Sequence, residues 1–262
     1  MTTILEPSPS TPHEPLEAIR IAGLSKSYRS GREEVVAIDG IDLDVRRGEF
    51  VSIVGASGCG KSSLLNIVAG LEAPTAGTVR TAGRIALMFQ ESALFGWLTI
   101  RRNVELALRL SGVPRPERRE RALALLEQVR LGGFAERRPH ELSGGMRQRA
   151  ALARAFAQDA EILLMDEPFG ALDAMTRDLL HAELEQLWVE RHQTIVFVTH
   201  NVREAVRLGD RVVMLTSRPG TVAATFDVDI DRPRRMEAPE VSAPASEITD
   251  RLRQEVRSHA GR

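Results

Sequence analysis

Cysteine, tyrosine and tryptophan are nearly missing from this chain: one, one and two residues among 262, with aromatic residues making up only 4%. A single cysteine cannot close an internal disulfide, so no disulfide framework holds the fold, and the composition suits a reducing compartment such as the cytoplasm. Long apolar runs are missing as well. A membrane-spanning helix needs about 20 consecutive apolar residues, whereas the run Ile162-Leu163-Leu164-Met165 is short and bounded by charge. Neither sign of charge prevails, since 35 basic residues face 36 acidic ones for a formal net charge of -1. That balance exerts no overall pull toward nucleic acid or an anionic bilayer, and nucleic acid is not expected as a partner. Residues 1–16 carry Pro7, Pro9, Pro12 and Pro15 among Ser, Thr and Glu, without an apolar core segment or an Arg-rich amphipathic pattern. They read as a flexible tail rather than a targeting signal. What the chain does have is 43% apolar residues, ample for a packed core.

The pattern along the chain predicts an α/β protein. Ala18 to Gly23 and Val35 to Ile38 look extended, Asp39-Gly40 offers a tight turn, and Ile41, Leu43 and Val45 then alternate with Asp42 and Asp44. This predicts an antiparallel β-hairpin with one wet face. Glu49 to Val54 is a short apolar run ending in a glycine-rich loop, after which Leu64, Leu65, Val68 and Ala69 recur at helical spacing. Residues 91 to about 150 hold no comparable buried strand. They contain Asn103 to Leu110, an Arg/Glu-rich helix from Pro116 to Leu131 stopped by Gly132-Gly133, and an alanine-rich helix after Gly145, an inserted helical subdomain. In the run Arg115, Arg118, Arg119 and Arg121, Glu117 and Glu120 are interspersed, as on a solvated helix face. The apolar strands Ile162 to Met165, Ile195 to Val198 and Val212 to Leu215 are separated by helical stretches. Such alternation predicts a mostly parallel sheet covered on both faces. After Pro219-Gly220 the chain turns polar; residues 236–262 read as a tail in which Glu247 to Arg257 form a short exposed helix.

The chemistry is concentrated in a few segments. Gly55-Ala56-Ser57-Gly58-Cys59-Gly60-Lys61-Ser62-Ser63 lies between that strand and that helix and fits the P-loop pattern. Glycines there let successive N–H groups face phosphate oxygens, Lys61 reaches the β- and γ-phosphates, and Ser62 ligates Mg²⁺. The helix start adds its partial positive charge. Cys59 has two readings, a reactive thiol activated by the helix start or a small loop residue, and the second fits a phosphate loop better. Ile162 to Asp166-Glu167-Pro168 is a buried strand ending in two acids that point to opposite sides. Asp166 suits the Mg²⁺ shell, while Glu167 suits a base that takes a proton from attacking water. Thr199-His200 closes another strand, at the edge where ligands of α/β sheets bind, so His200 is a candidate γ-phosphate contact. Gln90, after Ile85 to Phe89, carries an amide able to reach Mg²⁺ or water.

Leu142-Ser143-Gly144-Gly145-Met146-Arg147-Gln148-Arg149 places a serine and two glycines at a helix start, a second anion site with no lysine beside it. One nucleotide does not need two such sites in one chain, but a dimer in which each ATP lies between two subunits does. With these motifs in this order, the chain resembles the ABC transporter ATPases from about Ala18 to Arg235. The resemblance implies an ABC ATPase domain over residues 17–235, a P-loop NTPase with a helical subdomain at about 91–150. It also implies that Tyr28 stacks on adenine and that Asp173, in Ala171-Leu172-Asp173, crosses the interface of a head-to-tail homodimer. Phe95-Gly96-Trp97-Leu98-Thr99, Pro168-Phe169-Gly170-Ala171-Leu172-Asp173, Ser217-Arg218-Pro219-Gly220 and Pro233-Arg234-Arg235 resemble the nitrate, sulfonate and taurine import group. Gly96, where that group often has Pro, departs from it. Membership implies ATP and Mg²⁺ as cofactors, transmembrane permease subunits, an indirectly linked solute-binding protein, and a peripheral place on the cytoplasmic face of the membrane. Trp97 is either a permease contact or a packed residue of the helical insertion. Rival readings are a ribosomal or DNA-repair ATPase, which the single cassette without a long coiled coil disfavours, and an exporter or lipoprotein-release ATPase with the same motifs.

Overall fold

A computed structural model describes residues 17–30, 33–170 and 172–260, so the reading of residues 1–16 as a tail lies outside the described residues. The chain runs through β1 (Glu17–Ser30), β2 (Glu33–Arg46), β3 (Phe50–Val54), α1 (Lys61–Val68), β4 (Ala76–Thr81) and β5 (Ile85–Met88). Three helices follow, α2 (Ile100–Leu110), α3 (Arg115–Gln128) and α4 (Gly144–Phe156). The chain then alternates through β6 (Ile162–Asp166), α5 (Ala174–Arg191), β7 (Thr194–Val198), α6 (Val202–Leu208) and β8 (Arg211–Leu215), ending in β9 (Val222–Asp227) and α7 (Pro239–Ala260).

Six strands form the central sheet in the order β5-β6-β7-β3-β8-β9. Every pairing is parallel except that of β8 with β9. All five residues of β3 and of β7 are buried, the signature of parallel strands covered on both sides. The pleat divides them between two cores. Leu163, Met165, Ile195 and Phe197 pack with the helical insertion and α5. Ile162, Leu164, Val196 and Val198 pack with α1 and the antiparallel sheet β2-β1-β4. The helical insertion thus shares its core with one face of the sheet. The three sheet-centre strands expected from the apolar runs are all present.

Two expectations need correction. Asp39-Gly40 is no tight turn: β2 runs through it, paired with β1 as far as Ser30↔Glu33. Gly40 has φ 61°, and between the pairs Leu24↔Ile41 and Lys26↔Ile38 the register shifts, so the glycine makes a bulge. The predicted alternation beyond it holds, with Ile41, Leu43 and Val45 buried and Asp42 and Asp44 outside. At the other end, the segment read as a tail with a short exposed helix forms the 22-residue α7, with Val241, Ala245 and Ile248 buried. They pack with Val202, Ala205 and Val206 of α6, and β9 adds an antiparallel strand before the helix. The spacing Val241, Ala245, Ile248, Leu252 is an amphipathic stripe that charge and proline in the same stretch conceal.

Candidate functional site

β3 ends at Val54, and residues 55–60 turn back over the C-terminal edge of the sheet into α1. Gly58 and Gly60 have φ of 76° and 96°, the left-handed region that glycine enters without strain. Gly60 also has no room for a side chain, since a Cβ there would lie 2.8 Å from the Ala37 carbonyl oxygen. Lys61 is buried in the loop, its Nζ donating to the carbonyls of Gly55 and Ala56 at 3.0 Å each. The Cys59 thiol is buried and its pKa is pushed up by burial against the opposing influence of Lys61, which fits the loop-residue reading rather than a reactive thiol.

A cleft of about 330 Å³ opens on this loop, lined by Tyr28, Ser57, Gly58, Gly60, Lys61, Ser62, Ser63, Gln90 and Glu167, together with Val35, Ala37 and Arg218. Residues more than 130 positions apart in the chain therefore meet at one edge of the sheet. Tyr28 is 38% exposed; its hydroxyl donates to Glu72 Oε2 at 2.7 Å and bonds Ser63 Oγ at 2.9 Å. Lys26 Nζ sits 5.0 Å from the ring centroid, a cation–π contact on one face of the ring. Burial raises the Asp166 pKa and the neighbouring Glu167 adds to the rise, while Ser62 and Lys61 oppose it. Glu167 has φ 44°, a left-handed conformation rare outside glycine and costing about 1–3 kcal/mol. This conformation puts its carboxylate in the cleft, where Oε2 is 3.0 Å from Nδ1 of His200. The imidazole is 62% exposed.

Gln90 is exposed in the cleft, but its backbone is fixed: Gln148 Nε2 of α4 donates to the Gln90 carbonyl at 2.6 Å. Arg154, farther along the same helix, donates to the carbonyls of Ser92 and Ala93. The helix that begins at Ser143-Gly144-Gly145 is thus tethered to the segment leaving β5. Ser143 caps that helix, its Oγ accepting from the Met146 N–H at 3.3 Å. A Cβ on Gly145 would lie 3.1 Å from Leu172 Cδ2, which sets the helix start beside Asp173. Asp173 caps α5 by accepting from the Thr176 N–H at 2.9 Å, and that backbone bond lowers its pKa. Ser143, Gly144, Gly145 and Asp173 do not line the P-loop cleft among the described residues.

Arg218 is a cleft residue that sequence reasoning missed. Its Nε lies 3.4 Å from the Gly58 carbonyl oxygen, and it makes no ion pair among the described residues. Its loop is tied to the P-loop by Gly220, whose N–H donates to the Ala37 carbonyl and where a Cβ would collide with the Cys59 carbonyl at 2.1 Å. The available signal was topological: the loop follows β8, and β8 lies beside the strand that feeds the P-loop. The reading of Trp97 as a packed residue is overturned, because its side chain is 72% exposed and leans on Phe95 at a ring distance of 5.2 Å.

The profile of the ABC transporter family matches residues 38–170. An ABC transporter ATP-binding protein of Methanocaldococcus jannaschii is 43% identical over 246 residues, covering 91% of this chain and 92% of that protein. The nitrate import ATP-binding protein NrtD of Synechocystis is 43% identical over 81% of this chain and 83% of its own length. The taurine import ATP-binding protein TauB of Mesorhizobium japonicum is 47% identical over 75% and 79% respectively. Among solved structures, an ATP-binding cassette captured as a dimer after hydrolysis, with ADP and Pi, superposes with a TM-score of 0.75. It is 35% identical and matches over 81% of this chain and the whole of its own. A P-loop cleft that holds Glu167, on a chain that matches the family over residues 38–170 and these relatives along most of its length, makes this chain a member of the ABC transporter ATP-binding family and an ATPase.

Proposed function

We propose that this protein is the ATP-hydrolysing subunit of an importer for a small polar solute, acting as a head-to-tail homodimer on a separate membrane permease. The observation that carries the reading is the separation of its two anion sites. The P-loop and Glu167 share one cleft, with His200 bonded to the Glu167 carboxylate, while Ser143-Gly144-Gly145 starts a helix outside it beside Asp173. A second copy would bring its helix start to the open side of the cleft and complete the site.

Within that site the P-loop amides, Gly55 to Ser63, and Lys61 hold the phosphates, and the exposed Tyr28 stacks on adenine, a contact worth about 1–3 kcal/mol. Ser62, Asp166 and Gln90 would hold Mg²⁺. Ser62 and Gln90 line the cleft and Asp166 ends β6 next to Glu167, a set of oxygen donors that fits such a hard cation, which takes few protein groups and the nucleotide's own oxygens. When bound, Mg²⁺ neutralises charge on the phosphates. Glu167 accepts the proton of the attacking water, and His200, held at its carboxylate, faces the γ-phosphate. Ser143, Gly144 and Gly145 of the second subunit donate to the same phosphate, and Asp173 couples the two sites across the interface.

No described helix is long and apolar enough to cross a membrane, which agrees with a peripheral subunit at the cytoplasmic face. Phe95 and Trp97, exposed at the edge of the helical insertion, are the permease contact. The named nitrate and taurine relatives support a small anionic or zwitterionic solute, delivered through a solute-binding protein that this subunit does not touch.

ATPase rate against protein concentration tests the dimer, with light scattering on Glu167→Gln in MgATP. The expected outcome is a rate per subunit that rises with concentration, and a Glu167→Gln dimer that binds ATP but turns over about 10²–10⁴ times more slowly. Undiminished turnover in that variant, or full activity in monomers, would refute the assignment.

A further inference from the structure

Helices α5 and α6 share a buried chain of hydrogen bonds that the hydrolytic chemistry above does not use. His181 of α5 has no exposed surface, and Glu204 and Arg207 of α6 and Thr199 at the end of β7 are also buried. Arg207 Nη1 lies 3.0 Å from His181 Nδ1, and His181 Nε2 lies 2.6 Å from Glu204 Oε1. A guanidinium can only donate, so Nδ1 must accept, the ring proton is confined to Nε2, and Nε2–H donates to the carboxylate. Glu204 Oε2 accepts from the Thr199 hydroxyl, and the Thr199 Oγ1 accepts in turn from the Asn201 N–H at 3.0 Å. Each of these bonds thus has one consistent direction, with Arg207 donating through Nη1, His181 accepting at Nδ1 and donating at Nε2, and Glu204 accepting at both oxygens, while the buried Arg207 Nε has no partner. Arg207 also reaches Asp178 of α5 at 3.3 Å.

The chain ends on both sides of His200. Thr199 precedes it and Asn201 follows it, so the two bonds of the Thr199 hydroxyl clamp the backbone that carries the imidazole. The other end lies on the helix capped by Asp173, and the His181 ring is held edge-on by Phe169, two residues after Glu167, at 5.2 Å. Buried polar groups that are paired with one another favour one geometry, because a shift of His181, Glu204 or Thr199 leaves a donor or a charge unpaired. A hydroxyl, a carboxylate and an imidazole are also costly choices in a core when apolar side chains would fill the same space.

We propose that His181, Glu204 and Thr199 are positioning residues that hold His200 at Glu167 and make its placement follow helix α5. The inference rests on His200 acting in hydrolysis, and the test separates the two. Steady-state ATPase is measured for Thr199→Val, Thr199→Ser and Glu204→Gln, each in the wild-type and in the His200→Ala background, with folding checked by circular dichroism.

Thr199→Val keeps the shape and removes the hydroxyl. It should lower kcat about 10- to 100-fold, the scale of a misplaced catalytic group, while KM for ATP stays within about twofold. Thr199→Ser restores the hydroxyl and should restore turnover. In the His200→Ala background neither Thr199→Val nor Glu204→Gln should cost anything further, because a residue that acts through His200 has nothing left to position. Equal losses in both backgrounds, full turnover in folded Thr199→Val and Glu204→Gln, or a serine variant as slow as the valine one would overturn the coupling alone. Unchanged turnover in His200→Ala by itself would overturn the role of His200 and this inference with it.

Discussion

At the scale of single residues the site holds groups in states that cost stability. Glu167 occupies a left-handed backbone conformation, and Asp166 is a partly buried carboxylate beside another carboxylate. Burial raises the Asp166 pKa above its value in the unfolded chain, so the folded state binds that proton more tightly. Below the unfolded pKa both states are protonated and nothing is lost; the penalty grows as pH rises between the two values and is complete above the folded one. Asp166→Asn removes the buried charge. It should raise the thermal midpoint of the nucleotide-free protein by a few degrees at neutral pH, while lowering MgATP hydrolysis at least about 10²-fold. Differential scanning fluorimetry without nucleotide measures the first effect and a phosphate-release assay the second. A lower midpoint in the variant would mean that the carboxylate is net stabilising in the folded state.

At the scale of elements, the sequence made the parallel strands plain and hid the periphery. β3, β6 and β7 are near-continuous apolar runs because both faces are covered, and such runs need no knowledge of the partner strands. The P-loop was equally legible, since strand, glycines, lysine and helix lie next to one another. β2 was misread because Asp-Gly is a turn signal only when the chain reverses. Here β1 continues alongside and the loop between β8 and β9 touches the other side: Asp39 N–H donates to the Gly220 carbonyl, and the glycine becomes a bulge. α7 was misread because its apolar stripe is only three or four residues wide and carries Pro244 within it. Its burial against α6 predicts that Ile248→Ala costs about 2–5 kcal/mol, the range for an isoleucine cut to alanine in a core. Urea unfolding followed by circular dichroism measures it. A loss under 1 kcal/mol would show that α7 is only weakly docked on the cassette.

For the whole molecule the decisive property is that the proposed active site is divided between two copies. Each dimer has two composite sites, so two variants that fail for different reasons can rescue one another. Lys61→Ala spoils the phosphate loop and Gly144→Asp spoils the helix start; each alone should hydrolyse ATP at least about 10²-fold more slowly than wild type. In an equal mixture, the heterodimer joins an intact P-loop from one subunit to an intact helix start from the other. About a quarter of all sites are then whole, as expected from random pairing, and phosphate release should recover correspondingly. If the mixture stays as inactive as its components under conditions where wild-type subunits exchange, the site lies within one chain.

The linear sequence by itself determined the fold class and the identity of the phosphate-binding, acidic and histidine-bearing segments. Each of those signals is local: a glycine pattern between a strand and a helix, or two acids at the end of a buried strand. Tertiary structure alone decided which of them meet, because only the strand order β6-β7-β3-β8 brings Glu167, the P-loop and Arg218 to one cleft and sets His200 against Glu167. It also decided that Ser143 and Asp173 lie outside that cleft, and that His181, unremarkable in the sequence, reaches the backbone around His200 through Glu204 and Thr199. Contacts between residues far apart in the chain depend on the packing of whole elements, and no local pattern of residue types encodes them.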